Sequence, residues 1–217
     1  MMKPTNPDAP ETIRAFLALP VPAEAVTYAT LLQGVFRDQG VTGSRVRSEA
    51  MHITVEFLGN QTEEKLRRLT ALLRERLTGT AVPVVRCLGP DTFGRPPSVL
   101  FVAWTDPEFR FRRLAEMVRQ TSRDAELDSP AGEAKRKPVP HMTFLRLKDP
   151  QAKKILRKLR RNTSEGADWK PFLPPIPKSL TEVTLNRMEL IASTLTPDGP
   201  QYHTLETFDL QNNGAAC

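Results

Sequence analysis

The chain has 217 residues, enough for one large domain or for two small lobes that share a core. Hydrophobic residues make up 39% and charged residues 26%, an ordinary globular balance, and no run approaches the ~18 consecutive apolar residues of a membrane-spanning helix. Lys and Arg outnumber Asp and Glu by 31 to 25 and the sequence pI is about 9.6, so a polyanionic partner, nucleic acid first, suits the surface better than a basic ligand. Residues 1–11 read as a disordered tail without the apolar stretch of a secretory signal, residues 12–210 as a single domain, and residues 211–217 as a second tail. Of the two cysteines, Cys87 and Cys217, the latter ends a polar tail that cannot hold disulfide geometry, which points to reduced thiols and a cytoplasmic protein.

In chain order, residues 12–19 (TIRAFLAL) predict a strand, ended by Pro20 and Pro22. A helix follows, with Val26, Ala29, Leu32, Val35 and Phe36 at helical spacing. Residues 51–58 (MHITVEFL) predict a strand closed by Gly59-Asn60. Thr62, followed by Glu63 and Glu64, predicts an N-cap and the acidic first turn of a helix whose apolar stripe is Leu66, Leu69, Leu73 and Leu77. Strands are expected at 81–88 and 98–104 with a turn-rich loop at 89–97 between them. A long charged helix is expected at 107–127 with Leu114, Met117 and Val118 inward, then a Pro, Gly and Lys-rich loop at 129–140. Residues 141–147 (HMTFLRL) predict another strand, 152–161 a short basic helix, and 165–177 a proline-rich connection. A closing hairpin pairs 180–192 with 202–210 around Thr196-Pro-Asp-Gly-Pro. Strands and helices mix without strict alternation, so the expected class is α+β with a largely antiparallel sheet. The basic runs at 110–113, 135–137 and 153–161 read equally as RNA-facing surface or as solvated faces.

One short pattern occurs twice. HITVEFL at 52–58 and HMTFLRL at 141–147 both run His, apolar, Thr, apolar on a predicted strand that follows a loop and precedes a helix. A single His-x-Thr is noise; two in matched context, using two of the three histidines, are a signal. On a strand, residues i and i+2 share a face, so His52 stands with Thr54 and His141 with Thr143, while Ile53 and Met142 point into a core. Two such strands facing one cleft present two imidazoles that titrate near neutrality and two hydroxyls that can bond phosphate oxygens, a set suited to acid–base chemistry on a phosphodiester. A zinc site is the rival reading. It needs about three protein ligands, and His203 is the one histidine left, with no Cys or acidic residue at ligand spacing from either motif, so no metal and no cofactor is expected.

At these residues the chain resembles the two-histidine phosphoesterase superfamily, and within it the RNA 2',3'-cyclic phosphodiesterases, also called the 2'-5' RNA ligase family. The resemblance spans about residues 12–210 and includes RAFLALPVP at 14–22, MHITVEFLGN at 51–60, PPSVLFVAW at 96–104, PHMTFLRL at 140–147 and the closing hairpin at 188–210. It implies a bilobed α+β fold in which two pseudo-symmetric lobes, with helices outside, each bring one His-x-Thr strand to a central cleft. It also implies metal-free and ATP-free hydrolysis of RNA 2',3'-cyclic phosphate ends to 2'-phosphates, with His52 and His141 catalytic and Thr54, Thr143 and Arg146 on the phosphate. Phe16 and Phe57 are then candidates to stack on the base, plain core packing being the alternative for both. Strict strand alternation sets Arg146, five residues after His141, on the wrong face, so it reaches the cleft only through a bulge, twist or strand end. The mechanism that follows has His141 as general base on water and His52 as general acid, a swap of roles being equally compatible with the sequence. The expected partner is RNA ending in a cyclic phosphate, tRNA fragments included, acting on a monomer. Joining of tRNA halves through a 2'-5' bond, hydrolysis of small cyclic nucleotides, and a non-catalytic RNA or nucleotide binder are the alternatives.

Overall fold

In the computed structural model, residues 11–127, 137–161, 172–197 and 199–211 are described. Their elements run β1 (Thr12–Pro20), α1 (Ala23–Asp38), β2 (Ser44–Arg45), β3 (His52–Thr62), α2 (Glu63–Arg76), β4 (Val84–Phe93), β5 (Val99–Thr105), α3 (Arg110–Asp124), β6 (His141–Arg146), α4 (Pro150–Arg161), β7 (Val183–Thr184), β8 (Arg187–Thr196) and β9 (Gly199–Asp209). The strands form one curled antiparallel sheet in the order β7-β4-β5-β6-β3-β1-β8-β9, with β2 added to β6. The class is α+β, as the unpatterned mixture of elements implies.

Two halves are visible in that order. β4, β5, β6 and β7 form one, β3, β1, β8 and β9 the other, and the two join through a single pair, Ile53 opposite Met142. The chain also repeats itself: β1-α1-β3-α2 is followed by β5-α3-β6-α4, with β1 antiparallel to β3 and β5 antiparallel to β6. The helices cross over between halves. α1 packs behind β6, where Phe36 meets Phe144 at 5.9 Å between ring centres, and α3 packs behind β3.

Strand alternation explains the division of labour between the two sheet faces. Leu17, Leu19, Ile53, Leu100, Val102, Met142 and Phe144 are all buried on the helix-covered face, together with Leu32 and Phe36 of α1 and Leu69 and Leu73 of α2. Each such side chain contributes roughly 1.5–3 kcal/mol relative to exposure. A far smaller buried group, Phe16, Ala18 and Ile191, lies apart from this core. Stability therefore comes mainly from one face, which leaves the opposite, concave face available for polar side chains.

Several boundaries differ from those read in the sequence. β3 does not stop at Gly59-Asn60 but runs to Thr62, because Thr12 to Ala15 of β1 continue to pair with it; Gly59 takes φ +74 there. Thr62 then caps α2 by accepting the Lys65 N–H at 3.4 Å. The loop expected at 89–97 is half strand: β4 continues through Gly89, at φ +89, to Phe93, whose ring stacks on Phe101 at 4.0 Å. α3 begins at Arg110 rather than 107, since the Asp106 carboxylate receives the N–H groups of Phe111 and Arg112 at 3.2 and 3.0 Å. Residues 180–186 are not part of the hairpin. Val183–Thr184 forms β7 against β4 in the other half, and the hairpin pairs β8 with β9 from Arg187 onward. Both expected tails fall wholly or almost wholly outside the described residues, as do most of the 129–140 loop, most of the 165–177 connection, and Cys217. No helix among the described residues is long and apolar enough to cross a membrane.

Candidate active site

β3 and β6 are the central strands, and their one recorded pair decides the arrangement of the site. Ile53 opposite Met142 in antiparallel sense sets His52 beside Thr143 and Thr54 beside His141. Ile53 and Met142 are fully buried on the helix side. The four neighbours thus point to the concave face, with each imidazole next to the hydroxyl supplied by the other half.

Arg146 and Phe57 reach the same face by an irregularity common to both copies. Along β1 and β3, Leu17 pairs Glu56 but Ala18 pairs Thr54, so β3 carries one extra residue, Val55. Along β5 and β6, Leu100 pairs Leu145 but Phe101 pairs Thr143, so β6 carries one extra residue, Phe144. Each bulge lies three residues after its histidine. It turns two consecutive residues, Val55 with Glu56 and Phe144 with Leu145, toward the buried side. The residue at His+5, which regular pleating would point away, is restored to the histidine's face. Phe57 is there, 41% exposed, with its ring 6.1 Å from Phe16, and so is Arg146, exposed and close enough to His52 and Tyr202 to act on both electrostatically. The bulge that a cleft-facing Arg146 requires is present.

Each histidine has an oriented ring and an aromatic wall. His141 Nδ1 donates to the carbonyl of Val139, two residues back, at 2.8 Å, which fixes the ring's orientation and makes Nε2 the unprotonated nitrogen of the neutral imidazole. His52 has the corresponding backbone bond with Ala50, also two residues back. The His52 ring stacks on Phe16 at 4.8 Å and meets the edge of Tyr202 at 5.6 Å. The His141 ring meets Phe93 at 4.9 Å and Phe101 at 5.4 Å. Phe16 is only 4% exposed beneath His52, Phe57 and Tyr202, so its ring supports the site from below.

Comparison with known proteins identifies the family and the fold. A model of the 2'-5' RNA ligase superfamily matches residues 23–189. The chain belongs to that superfamily. A relative from Methanothermobacter thermautotrophicus is 29% identical over 203 residues, covering 91% of this chain and 99% of its own length, and one from Thermotoga maritima is 27% identical, covering 89% and 93%. Both carry the name RNA 2',3'-cyclic phosphodiesterase. Among solved structures, a Thermus thermophilus protein superposes with a TM-score of 0.70 at 25% identity over 93% of this chain and all of its own. Escherichia coli LigT in complex with 3'-AMP superposes with a TM-score of 0.65 at 20% identity over 92% and 98%, which shows the same fold.

In this member of the 2'-5' RNA ligase superfamily, burial sets His52 apart from a free imidazole. The His52 pKa is lowered from 6.5 to about 4, first by burial and then by His141 and Arg146, against the opposing backbone bond at Ala50. His52 is therefore neutral at pH 7. Between pH 6.5 and 4 the unfolded chain takes a proton at His52 that the folded site refuses, so folding stability falls as pH drops through that window. At about 1.4 kcal/mol per pKa unit the loss from this one residue is roughly 3 kcal/mol by pH 4. Urea melts at pH 7 and pH 4 check this: His52→Gln, which cannot titrate, is expected to lose that much less than the unmodified protein, and equal losses would remove the effect.

Three wall residues, Phe93, Phe101 and Tyr202, were not singled out in the sequence. Phe93 fell in a segment read as loop, and Tyr202 and Phe101 lie on strands whose faces are set by partners far away in the chain. Alternation would have grouped Phe101 with Ala103 and Val99, but nothing local tied that face to His141. His203 follows Tyr202 on β9 and so points to the other face of the hairpin.

Proposed function

We propose that the chain hydrolyses RNA 2',3'-cyclic phosphate ends to 2'-phosphates by acid–base catalysis between His52 and His141. The carrying observation is the shared concave face of the two motif strands, on which both imidazoles, both threonines and, through the bulge, Arg146 converge. Relatives of nearly equal length bearing the name RNA 2',3'-cyclic phosphodiesterase support the substrate class.

In this reading Thr54, Thr143 and Arg146 hold the non-bridging phosphate oxygens and take up the charge that develops on them. His141 Nε2 accepts a proton from water as the water oxygen attacks phosphorus. The bond from phosphorus to the 3'-oxygen breaks, and His52 donates a proton to that oxygen. The products are a 2'-phosphate and a free 3'-hydroxyl, and the two imidazoles exchange one proton with solvent to reset. No metal or cofactor takes part. Phe57 and Tyr202 offer ring surface to the terminal base above the buried Phe16. The protein acts as a monomer in the cytoplasm, where tRNA fragments are among its substrates.

With its pKa held down to about 4 by burial, His52 serves as the acid only once the substrate raises that value. The phosphate anion raises the His52 pKa when it binds, and the site gains its proton with its ligand. NMR titration of His52 without and with a nucleoside 2'-phosphate is expected to show a midpoint near 4 moving upward. A midpoint that stays low reverses the roles of the two histidines.

The decisive assay is RNA ending in a 2',3'-cyclic phosphate, with the product identified. A 2'-phosphate formed equally well in EDTA is the expected result. Binding without turnover means that the cleft is a binding module, and a 3'-phosphate product contradicts the assigned leaving group. Adding RNA with a 5'-hydroxyl tests 2'-5' joining, in which that hydroxyl replaces water at the same site.

A further inference from the structure

Arg146 faces the phosphate site only because β6 has one residue more than β5 between Thr143 and Leu145. A bulge interrupts the β5–β6 ladder, and the buried backbone groups around it must be satisfied elsewhere. At β6 the bulged residue is Phe144, which is fully buried. Its carbonyl accepts the Val46 N–H at 3.0 Å and Gln33 Nε2 at 2.8 Å. The same Gln33 nitrogen donates its second hydrogen to the Val46 carbonyl, also at 2.8 Å. Gln33 is 7% exposed on the face of α1 that otherwise carries Ala29, Leu32 and Phe36. One amide therefore ties α1, the segment after β2 and the bulge together.

The first copy carries a counterpart. Glu56, in the bulge of β3, is 5% exposed and accepts from Nε and Nη2 of Arg119 on α3, both at 3.3 Å. α1 belongs to the first copy and grips the second motif strand; α3 belongs to the second copy and grips the first. The two contacts differ in kind, a backbone carbonyl three residues after His141 and a side-chain carboxylate four residues after His52, but in each a helix of one copy reaches the bulge of the other with a buried polar side chain.

We infer that Gln33 is a positioning residue for Arg146: its amide bonds the Phe144 carbonyl and the Val46 carbonyl beside it, and so holds the bulge that turns the guanidinium toward the phosphate. Without that amide the Phe144 carbonyl keeps only the Val46 N–H, and relaxation to regular pairing swings the residue after Leu145 toward the opposite face. This rests on the reading of Arg146 as a phosphate ligand. Gln33 itself touches no substrate.

The test is a double-mutant cycle on a cyclic-phosphate oligonucleotide with Gln33→Met, Arg146→Ala and the double variant, each checked for folded fraction by near-UV circular dichroism. Gln33→Met keeps the length and removes both donors. It is expected to lower kcat roughly ten- to a hundred-fold in the intact background and by less than about twofold where Arg146 is already alanine. Unchanged kcat in Gln33→Met overturns the inference. So does an equal fold loss in both backgrounds, which is what a merely structural glutamine produces. If Arg146→Ala itself turns over normally, the phosphate role falls and takes the inference with it; if Arg146→Ala is slow and Gln33→Met is not, the inference falls alone. Should Gln33→Met not fold, Gln33→Asn, which keeps the amide but withdraws it by one methylene, takes its place in the cycle with the same expected pattern.

Discussion

His52→Ala and His141→Ala are each expected to lose a factor on the order of 10²–10⁴ in kcat on an RNA 2',3'-cyclic phosphate, the usual size of a general acid or base contribution. The double variant is expected to be scarcely worse than the poorer single one, because an acid and a base that act in one proton-transfer cycle do not contribute independently. His141→Ala also removes the Nδ1 bond to Val139, whereas His52→Ala removes a ring stacked on Phe16. Melting curves for both variants separate a catalytic loss from a folding one. Removing His52 also removes a residue that costs stability below pH 6.5, so His52→Ala is expected to unfold less readily in acid relative to its own stability at pH 7. Single variants with near-normal turnover would end the two-histidine mechanism.

Arg146→Ala is expected to cost about 10²–10³ in kcat, comparable to the loss of a preorganised donor at developing charge. Arg146→Lys is expected to recover only a small part of this. A lysine keeps the charge but not the planar fork that can bond two phosphate oxygens at once. Arg146 lies at the exposed end of β6 on the side of His52 and Tyr202. Its removal also takes away one of the charges that hold the His52 pKa down, though burial is the larger cause. The His52 titration midpoint in Arg146→Ala is therefore expected to rise above about 4 without returning to 6.5. A variant with normal kcat and an unmoved His52 midpoint would place Arg146 outside the site.

Much of the molecule was legible before any coordinates. The paired His-x-Thr motifs were visible because a strand has a period of two, so a residue pattern three positions long already states which side chains share a face. The apolar stripe Leu66, Leu69, Leu73 and Leu77 was readable for the analogous reason on a 3.6-residue period, and all four are buried. Thr62 announced its cap because capping is a contact within a few residues of chain. These are local properties.

What depended on distant partners was not legible. β4 runs on to Phe93 only because β5 lies beside it, so a turn-rich stretch became half strand. Tyr202 reaches His52 from the last strand of the chain. Gln33 looks like a polar interruption of an apolar helix face until β6 and the Val46 segment supply its two carbonyls. The same division applies to Arg146. The sequence alone determined that this chain carries two matched His-x-Thr strands and an arginine five residues after the second histidine. Whether that arginine faces the cleft was decided by one extra residue in β6 relative to β5, and a bulge is a property of a strand pair, which a single strand cannot declare.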